Sequence, residues 1–414
     1  MKALRAGLFC LLAFSVAAFG AVEVWSASVL EIGAALLLVF WAILVYWDPA
    51  IKVYWSPLDW PLLGILAVGT LQLLFHGTAY PFLTRVELLK LAAYCIIFFL
   101  TTQAFRGRAA LSGLAWFLML LCFAVSLQGI IQHFTFDGKI YWFRELTHGG
   151  DPFGPYVNRN HFAGFIELTL PVSLALIVFR AVPPDQTLMT TLLAIVPVSA
   201  LILSGSRGGI IAFLCQLGIL ALLARRRRRS ETPRISAIAI VAFAALALIA
   251  WIGVGRTLER FTPQHSNGIS LTRRVSMFRG AAHIFFDHPV KGSGLGTLVS
   301  VFPRYETQYD ARVVDHAHND YIELLADEGL LGGLCGFAFL WLLLRVAREN
   351  FRAEQSRFSR ALHASAIVAV SGLLLHSFAD YNLHIPSNAL LFLLQAALVA
   401  SPPLPSERES SRAR

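Results

Sequence analysis

Twelve apolar runs of membrane-spanning length constrain the fold of this chain more than any other feature. A run of about 17–25 apolar residues can cross a bilayer as a helix. Because lipid offers the backbone no hydrogen bonds, each such run favours a helix over strands of alternating polarity. The sequence therefore predicts an all-α, polytopic integral membrane protein. The predicted spans are residues 6–24, 28–47, 58–76, 87–105, 111–132, 161–180, 188–204, 208–224, 235–254, 328–346, 362–379 and 387–400. The last of these is short, and the seventh and eighth are nearly continuous.

Composition supports the same class of protein. The chain is 57% hydrophobic and 14% charged, whereas soluble domains contain about 45–50% apolar and about 25% charged residues. The first run follows Lys2 and Arg5, which also fits a cleavable signal peptide, but no good A-x-A cleavage site precedes a soluble segment. The five cysteines all fall within predicted spans, which indicates small packing residues and not disulfides or metal ligands.

The distribution of basic residues predicts the orientation. Short loops on one side carry only Arg85, Lys139, Arg144, Arg159 and Arg207, while the other side carries most of the remaining lysines and arginines. By the positive-inside rule, both termini are then cytoplasmic. The net charge of +9 is mainly a topology signal, and the run "RRRRRS" at 225–230 is read as a membrane anchor and not as a nucleic-acid site.

This topology divides the chain into three parts. Residues 1–150 form the first five spans, residues 151–400 contain the remaining spans with a large non-cytoplasmic loop at 255–327, and residues 401–414 form a disordered cytoplasmic tail. The unusual polar residues gather in four stretches that the topology places on the same, non-cytoplasmic face: 152–165, 203–209, the long loop, and 376–388. We expect them to form one site at the membrane boundary.

Arg207 is the most informative residue in the short turn "LSGSRGG" at 203–209. A charge near the membrane boundary is costly without an anionic partner, and such residues are functional candidates. Neighbouring glycines let a ligand approach closely, and a guanidinium binds phosphate oxygens through two hydrogen bonds. The alternative is an arginine that reaches the lipid headgroups. The flanking glycines favour the ligand role.

The long loop contains a segment with helical spacing and a glycine-rich segment. In residues 270–289, Val275, Phe278, Ala282 and Phe285 can share one face, with the arginines mostly elsewhere, which predicts a helix in the membrane interface. The following "KGSGLGT" at 291–297 lacks a preceding strand and the spacing of a nucleotide-binding loop. We interpret it as a flexible turn.

"DHAHND" at 315–320 directly precedes an apolar run. We predict that Asp320 caps the helix, with Glu323 three positions later, so that His316 and His318 lie just before its N-terminus. The positive helix end disfavours imidazolium and attracts anions, so it can hold a neutral base beside an anion site. Two alternatives are a metal site formed by His316, His318 and Asp320, and simple hydrated capping residues.

These motifs resemble the O-antigen ligase and polymerase family of bacterial membrane glycosyltransferases. Its ligase signature is His, then Asn, Ser or Gln, nine residues, Gly, two residues, and Gly, Thr or Tyr. His318, Asn319, Gly329 and Gly332 match it. The "SGSRGG" turn, "NRNHFAGFIELTLP" and "RRVSMFRGAAHIFFDHPVKGSGLGT" are also similar to family motifs, and the resemblance is strongest from 150 to 390.

The resemblance implies about twelve helices, a large periplasmic loop and a glycan transfer at the outer face of the bacterial inner membrane. The donor would be a glycan on an undecaprenyl-diphosphate-type carrier. The acceptor hydroxyl would belong to lipid A-core, a glycan or another molecule, with no metal and no cofactor required. The catalytic residues would be His318, Arg207 and Arg274, although Arg273 is adjacent and Phe278 stands at the family's usual Trp. The implied substrate-binding residues are Arg273, Asn158, Arg159, Asn160, His316, Asn319 and Asp380.

Other functions remain open at this point. A polymerase would join one lipid-linked repeat unit to another, and a protein-glycosylating ligase is a further relative. A twelve-span solute transporter would place polar residues along a path through the middle of the membrane and often contains an internal repeat. Here mid-span polar residues are sparse and no repeat is evident. The sequence favours a ligase.

Overall fold

The structure, a computed structural model, describes residues 1–146, 149–225, 239–241, 243, 247, 271–308 and 313–403. The predicted span 235–254 and the predicted tail 401–414 lie largely outside the described residues. The helices are α1 Lys2–Ala17, α2 Val24–Trp47, α3 Asp59–Leu74, α4 Pro81–Ala104, α5 Arg108–Thr135, α6 Arg159–Val178, α7 Pro184–Ser204, α8 Arg207–Arg225, α9 Leu271–Asp287, α10 Leu298–Val301, α11 Asp320–Ala353, α12 Arg357–His376 and α13 Pro386–Ala400. Short 3-10 turns occupy Phe19–Ala21, Phe302–Arg304 and Asn382–His384, and β1 Lys139–Ile140 pairs antiparallel with β2 Arg144–Glu145.

The all-α class and the multi-pass architecture are confirmed. Within the described part of the chain, seven helices are long and apolar enough to cross a membrane: α2, α5, α6, α7, α8, α11 and α12. Two shorter apolar helices are α3 and α13. Every predicted span except 235–254 overlaps one helix. The total of twelve spans stays a prediction.

Helix α6 forms the centre of the bundle. All its residues from His161 to Val178 are buried, and α5, α7, α8, α12 and α13 pack around it. A helix that is apolar on every side is stable only when other protein or lipid surrounds it. In contrast, α2 exposes Leu36, Val39 and Ile43, which fits a lipid-facing helix at the periphery.

The predicted interfacial helix exists as α9. One face packs Met277, Ala281 and Ile284 into a small second core with Phe302 and Ala326. Val275 and Phe278 are exposed, so they are available to contact lipid. The position of α9 in the membrane interface remains a prediction.

The glycine-rich segment 291–297 is a turn held tightly against α11. Backbone N–H groups of Ser293 and Gly294 donate to the carbonyls of Ala326 and Asp327, each at 2.9 Å. Gly292 and Gly329 are both in the left-handed region, and a Cβ on either would collide with the backbone of the other segment. The segment therefore fixes the start of α11 instead of forming the flexible turn that we expected.

Candidate active site

The histidine motif lies at the start of α11. The side-chain oxygen of Asn319 accepts hydrogen bonds from the backbone N–H groups of Tyr321 and Ile322 at 3.0 and 3.1 Å. Asn319 is thus the N-cap, and the prediction of Asp320 as the cap is wrong by one residue. Since Asn319 already satisfies these donors, the Asp320 carboxylate is available for another partner. The side-chain amide of Asn319 also donates to the Phe378 carbonyl at 3.0 Å, which ties this helix end to the 376–388 segment.

His318 precedes the cap and holds a strained backbone conformation. Its φ of 52° lies in the left-handed region, which is uncommon for residues other than glycine and costs about 1–3 kcal/mol. The side chain is buried, and its Nδ1 lies 3.1 Å from Oδ1 of Asp380. Strain of this kind persists where surrounding contacts fix a functional side chain.

Asp380 is fully buried and sets the tautomer of His318. Burial alone would raise the pKa of Asp380, but the hydrogen bond with His318 and the nearby imidazole of His161 hold that pKa far below its usual range. The ionised carboxylate therefore accepts a hydrogen bond from Nδ1–H of His318. In neutral His318, Nε2 is then the unprotonated nitrogen, which is the form that a general base requires.

Three aromatic contacts hold the imidazole rings around Tyr381. The Tyr381 ring meets His161 and His318 edge-on, with centroids 4.7 and 4.8 Å apart, and stacks on His316 at 4.2 Å. His161 Nε2 lies 3.9 Å from Asp380 Oδ1. The sequence alone assigned no role to His161, in the 152–165 stretch, or to Tyr381, in the 376–388 stretch. Histidine and tyrosine occur both in functional sites and in packed cores, so only the fold shows that these two residues lie at the site.

The two adjacent arginines of α9 point to different partners. Arg274 donates from Nη1 to the carbonyl of Ala379, the residue before Asp380, at 2.9 Å. Arg273 is buried and pairs with Glu306. Of the two arginines, Arg274 is the one that contacts the segment carrying Asp380.

The turn that carries Arg207 is built on α6 and α12. Ser206 donates to the side-chain oxygen of Asn160 at 2.8 Å, and its hydroxyl accepts from the backbone N–H of Gly209 at 3.2 Å. A Cβ on Gly208 would lie 2.7 Å from Nε2 of His376. The Arg207 side chain itself is exposed at the N-terminus of α8.

The remaining predicted binding residues shape the start of α6. Asn158 caps α6 by accepting from the backbone N–H of Asn160 at 2.9 Å. Arg159 pairs with Asp151 at 2.9 Å. These two contacts order the start of α6, and the Ser206–Asn160 bond joins the 152–165 stretch to the 203–209 stretch.

Contacts therefore bring all four polar stretches to one end of the bundle. The Ser206–Asn160 bond joins the first two, Gly208 rests on His376, and the long loop reaches 376–388 through the His318–Asp380 pair. The backbone N–H of Asp380 also donates to the carbonyl of His376 at 3.1 Å. The predicted convergence is found, while the side of the membrane on which it lies stays a prediction.

A second polar cluster adjoins this site. His316 Nδ1 lies 2.6 Å from Glu323 Oε1, and His384 Nε2 lies 3.3 Å from the same oxygen. His384 Nδ1 meets Asp320 Oδ1 at 2.9 Å. Burial alone would lower the pKa of His384, but Glu323 and Asp320 outweigh it and raise that pKa to about 10.

The geometry does not favour the metal site that the sequence offered as an alternative for His316, His318 and Asp320. His316, His318 and Asp320 turn to three different partners, namely Glu323, Asp380 and His384. Within the described residues, the group that offers convergent ligand atoms is instead His316, Glu323 and His384, with those atoms inside 4.8 Å of one another. The 2.6 Å hydrogen bond between His316 and Glu323 occupies two of these atoms, so we interpret the group as an ion-pair network.

The fold and this cluster define a multi-pass helical membrane protein with its polar chemistry at one end of the bundle. Residues 192–337 match the family model described as O-antigen ligase. This match confirms the resemblance over that region, and it indicates an enzyme of the general kind of a membrane glycosyltransferase. No curated protein matches the chain in a sequence comparison.

Proposed function

We propose that this protein transfers a glycan from a polyprenyl diphosphate carrier to an acceptor hydroxyl, with inversion at the anomeric carbon and without a metal ion. The observation that carries the proposal is the buried His318–Asp380 pair at 3.1 Å, with Arg274 bound to the carbonyl of the preceding Ala379. A base and a cation at adjacent positions are what a hydroxyl attack on a sugar diphosphate requires.

His318 would be the general base. Its Nε2 removes the proton of the acceptor hydroxyl while the hydroxyl oxygen forms a bond to the anomeric carbon. The bond from that carbon to the diphosphate oxygen breaks, and its electron pair leaves with the diphosphate. Asp380 keeps Nδ1 protonated and stabilises the imidazolium that forms. A single displacement of this kind inverts the anomeric centre.

Arg207 and Arg274 would neutralise the leaving group. Negative charge grows on the diphosphate as the bond breaks, and fixed guanidinium groups stabilise such charge without a metal. Arg207 lies on the turn that contacts His376, and Arg274 holds the loop that continues into Asp380. The two arginines lie on different helices, α8 and α9, and each helix contacts the segment 376–380.

The membrane accounts for the location of the site. A polyprenyl chain stays in the bilayer, so its diphosphate reaches only groups at the membrane boundary. We propose that this boundary is the periplasmic face of the inner membrane, with both termini cytoplasmic, as the basic residues indicate. The acceptor would be lipid A-core, a glycan or another hydroxyl compound.

A transfer assay tests the proposal. Purified protein in lipid nanodiscs is supplied with undecaprenyl-diphosphate-linked glycan and lipid A-core, with and without a chelator. We expect a glycosylated acceptor with inverted linkage and released undecaprenyl diphosphate, at equal rates in both samples. Retention of anomeric configuration, or loss of transfer with the chelator, would contradict the mechanism. Joining of two lipid-linked units without use of the acceptor would identify a polymerase.

A further inference from the structure

Next to the candidate site lies a further histidine–carboxylate pair that the proposed mechanism does not use. His376 Nδ1 is 2.8 Å from Oε1 of Glu167, and the two residues are 209 positions apart in the chain. Both side chains are essentially inaccessible, with 1% and 0% exposure. Ionisable residues inside a membrane bundle are costly, and pairs of this kind are usually functional.

His376 contacts both halves of the candidate site. Through its Nε2 edge it supports Gly208, where a Cβ would come within 2.7 Å. Its backbone carbonyl accepts hydrogen bonds from the backbone N–H groups of Ala379 and Asp380, at 2.8 and 3.1 Å. The first contact packs against the turn that carries Arg207. The second stabilises the loop in which Ala379 binds Arg274 and Asp380 binds His318.

Glu167 fixes the imidazole in this position. Because one carboxylate oxygen holds Nδ1, the opposite edge of the ring faces the first turn of α8. Gln216 joins the same three helices, since its amide donates to the carbonyls of Glu167 at 2.8 Å and Val368 at 3.1 Å. The other carboxylate oxygen of Glu167 is buried without a hydrogen-bond partner among the described residues. The Glu167–His376 pair therefore packs against the first turn of α8, which begins with Arg207.

We infer that Glu167 and His376 are positioning residues that set the placement of Arg207 against the diphosphate of the donor. The inference rests on the proposed function. It predicts that a change in this pair acts on transfer through Arg207, although neither residue touches the substrate. Displacement of a catalytic group by about 1 Å can reduce the rate about 100-fold.

The chain offers a matched control. Glu354 and His363 form another buried carboxylate–histidine pair, with Oε2 3.8 Å from Nδ1. His363 lies 13 residues before His376 in α12, about 20 Å away along a helix. Loss of either buried pair should affect general stability, whereas only the pair at Glu167 supports Arg207.

The test compares Glu167→Gln and Glu354→Gln in the full-length protein, with the donor concentration varied. We expect Glu167→Gln to reduce kcat/KM for the donor by about 10- to 100-fold and Glu354→Gln to leave it nearly unchanged. His376→Asn is a second variant, since it keeps a donor for Glu167 but removes the ring edge beneath Gly208. In an Arg207→Lys background, Glu167→Gln should add little further loss, because the two changes act on one group. Equal losses from both Gln variants, or losses that multiply in the double variant, would overturn the inference.

A second readout does not depend on catalysis. Arg207→Cys places a thiol on the turn, and its rate of labelling by a membrane-impermeant maleimide is measured after subtraction of labelling in protein without this change. We expect Glu167→Gln to alter that rate by at least about threefold, because thiol reactivity follows the local environment, while Glu354→Gln leaves it unchanged. An unaltered rate would contradict the positioning role even if no transfer is observed. Absence of transfer by the wild type, with an altered labelling rate, would count against the proposed function alone.

Discussion

His318 and Asp380 are 62 residues apart in the chain, and the structure brings His318 Nδ1 within 3.1 Å of Asp380 Oδ1. The contact joins the start of α11 to the segment between α12 and α13. Asp380 is fully buried, so its charge needs this partner. The pair defines which imidazole nitrogen is available for chemistry.

Asp380→Asn tests the role of the carboxylate. An amide can keep a hydrogen bond to His318 but neither fixes the reactive tautomer nor stabilises imidazolium. We expect kcat to fall by about 100- to 10,000-fold with a small change in donor KM. Steady-state kinetics of the purified variant measure this, and Asp137→Asn on an exposed loop is the control. A kcat within a few-fold of wild type would remove Asp380 from the mechanism.

Arg207 tests the contact with the diphosphate. Arg207→Ala should abolish transfer, and Arg207→Lys should also be poor, because an ammonium cannot make the two-pronged contact with phosphate oxygens. Both variants should insert normally, since the side chain is exposed. Arg225→Ala, at the other end of α8, should retain activity. Near-normal transfer by Arg207→Lys would show that a bidentate contact is not needed.

Arg274 and Arg279 lie on the same helix, α9. Alanine variants of the two can therefore show whether an arginine acts in the site or only contacts lipid headgroups. Arg274 reaches the Ala379 carbonyl at 2.9 Å, whereas Arg279 is exposed. We expect Arg274→Ala to lower kcat by about 100-fold or more through loss of a fixed cation, and Arg279→Ala to stay within a few-fold of wild type. The comparison uses one transfer assay at matched protein amounts. A larger loss of activity in Arg279→Ala than in Arg274→Ala would contradict the assignment of Arg274 to the site.

The sequence predicted the helices because apolar run length is a local property of the chain. It also predicted that His318, Arg274 and Asp380 belong to one site, since the ligase motif and the topology pointed to the same face. The Glu167–His376 pair was not predicted. Glu167 lies within an apolar span and its partner is on a different helix, so only the packing of α6 against α12 shows that the two meet. The cap was misplaced by one residue because Asn319 and Asp320 are both good caps.

His384 gives the structure a pH dependence. Its folded-state pKa is raised to about 10, above the value of about 6.5 for an unfolded histidine. Its contribution to stability is therefore fully present below about pH 6.5 and is lost as the pH rises through about 10. We expect the apparent Tm of the wild type to fall over this range and the fall to be smaller in His384→Gln. Thermal unfolding in detergent at several pH values checks this, and identical profiles for the two proteins would refute it.

The most direct test of the central claim is the rate of glycan transfer from undecaprenyl diphosphate by His318→Ala, compared with His288→Ala at an exposed histidine of the same loop. If His318 Nε2 is the base, the first variant loses transfer and the second keeps the wild-type rate, while both remain folded in the membrane. Near-normal transfer by His318→Ala would contradict the account, because no proton acceptor would then be needed at that position.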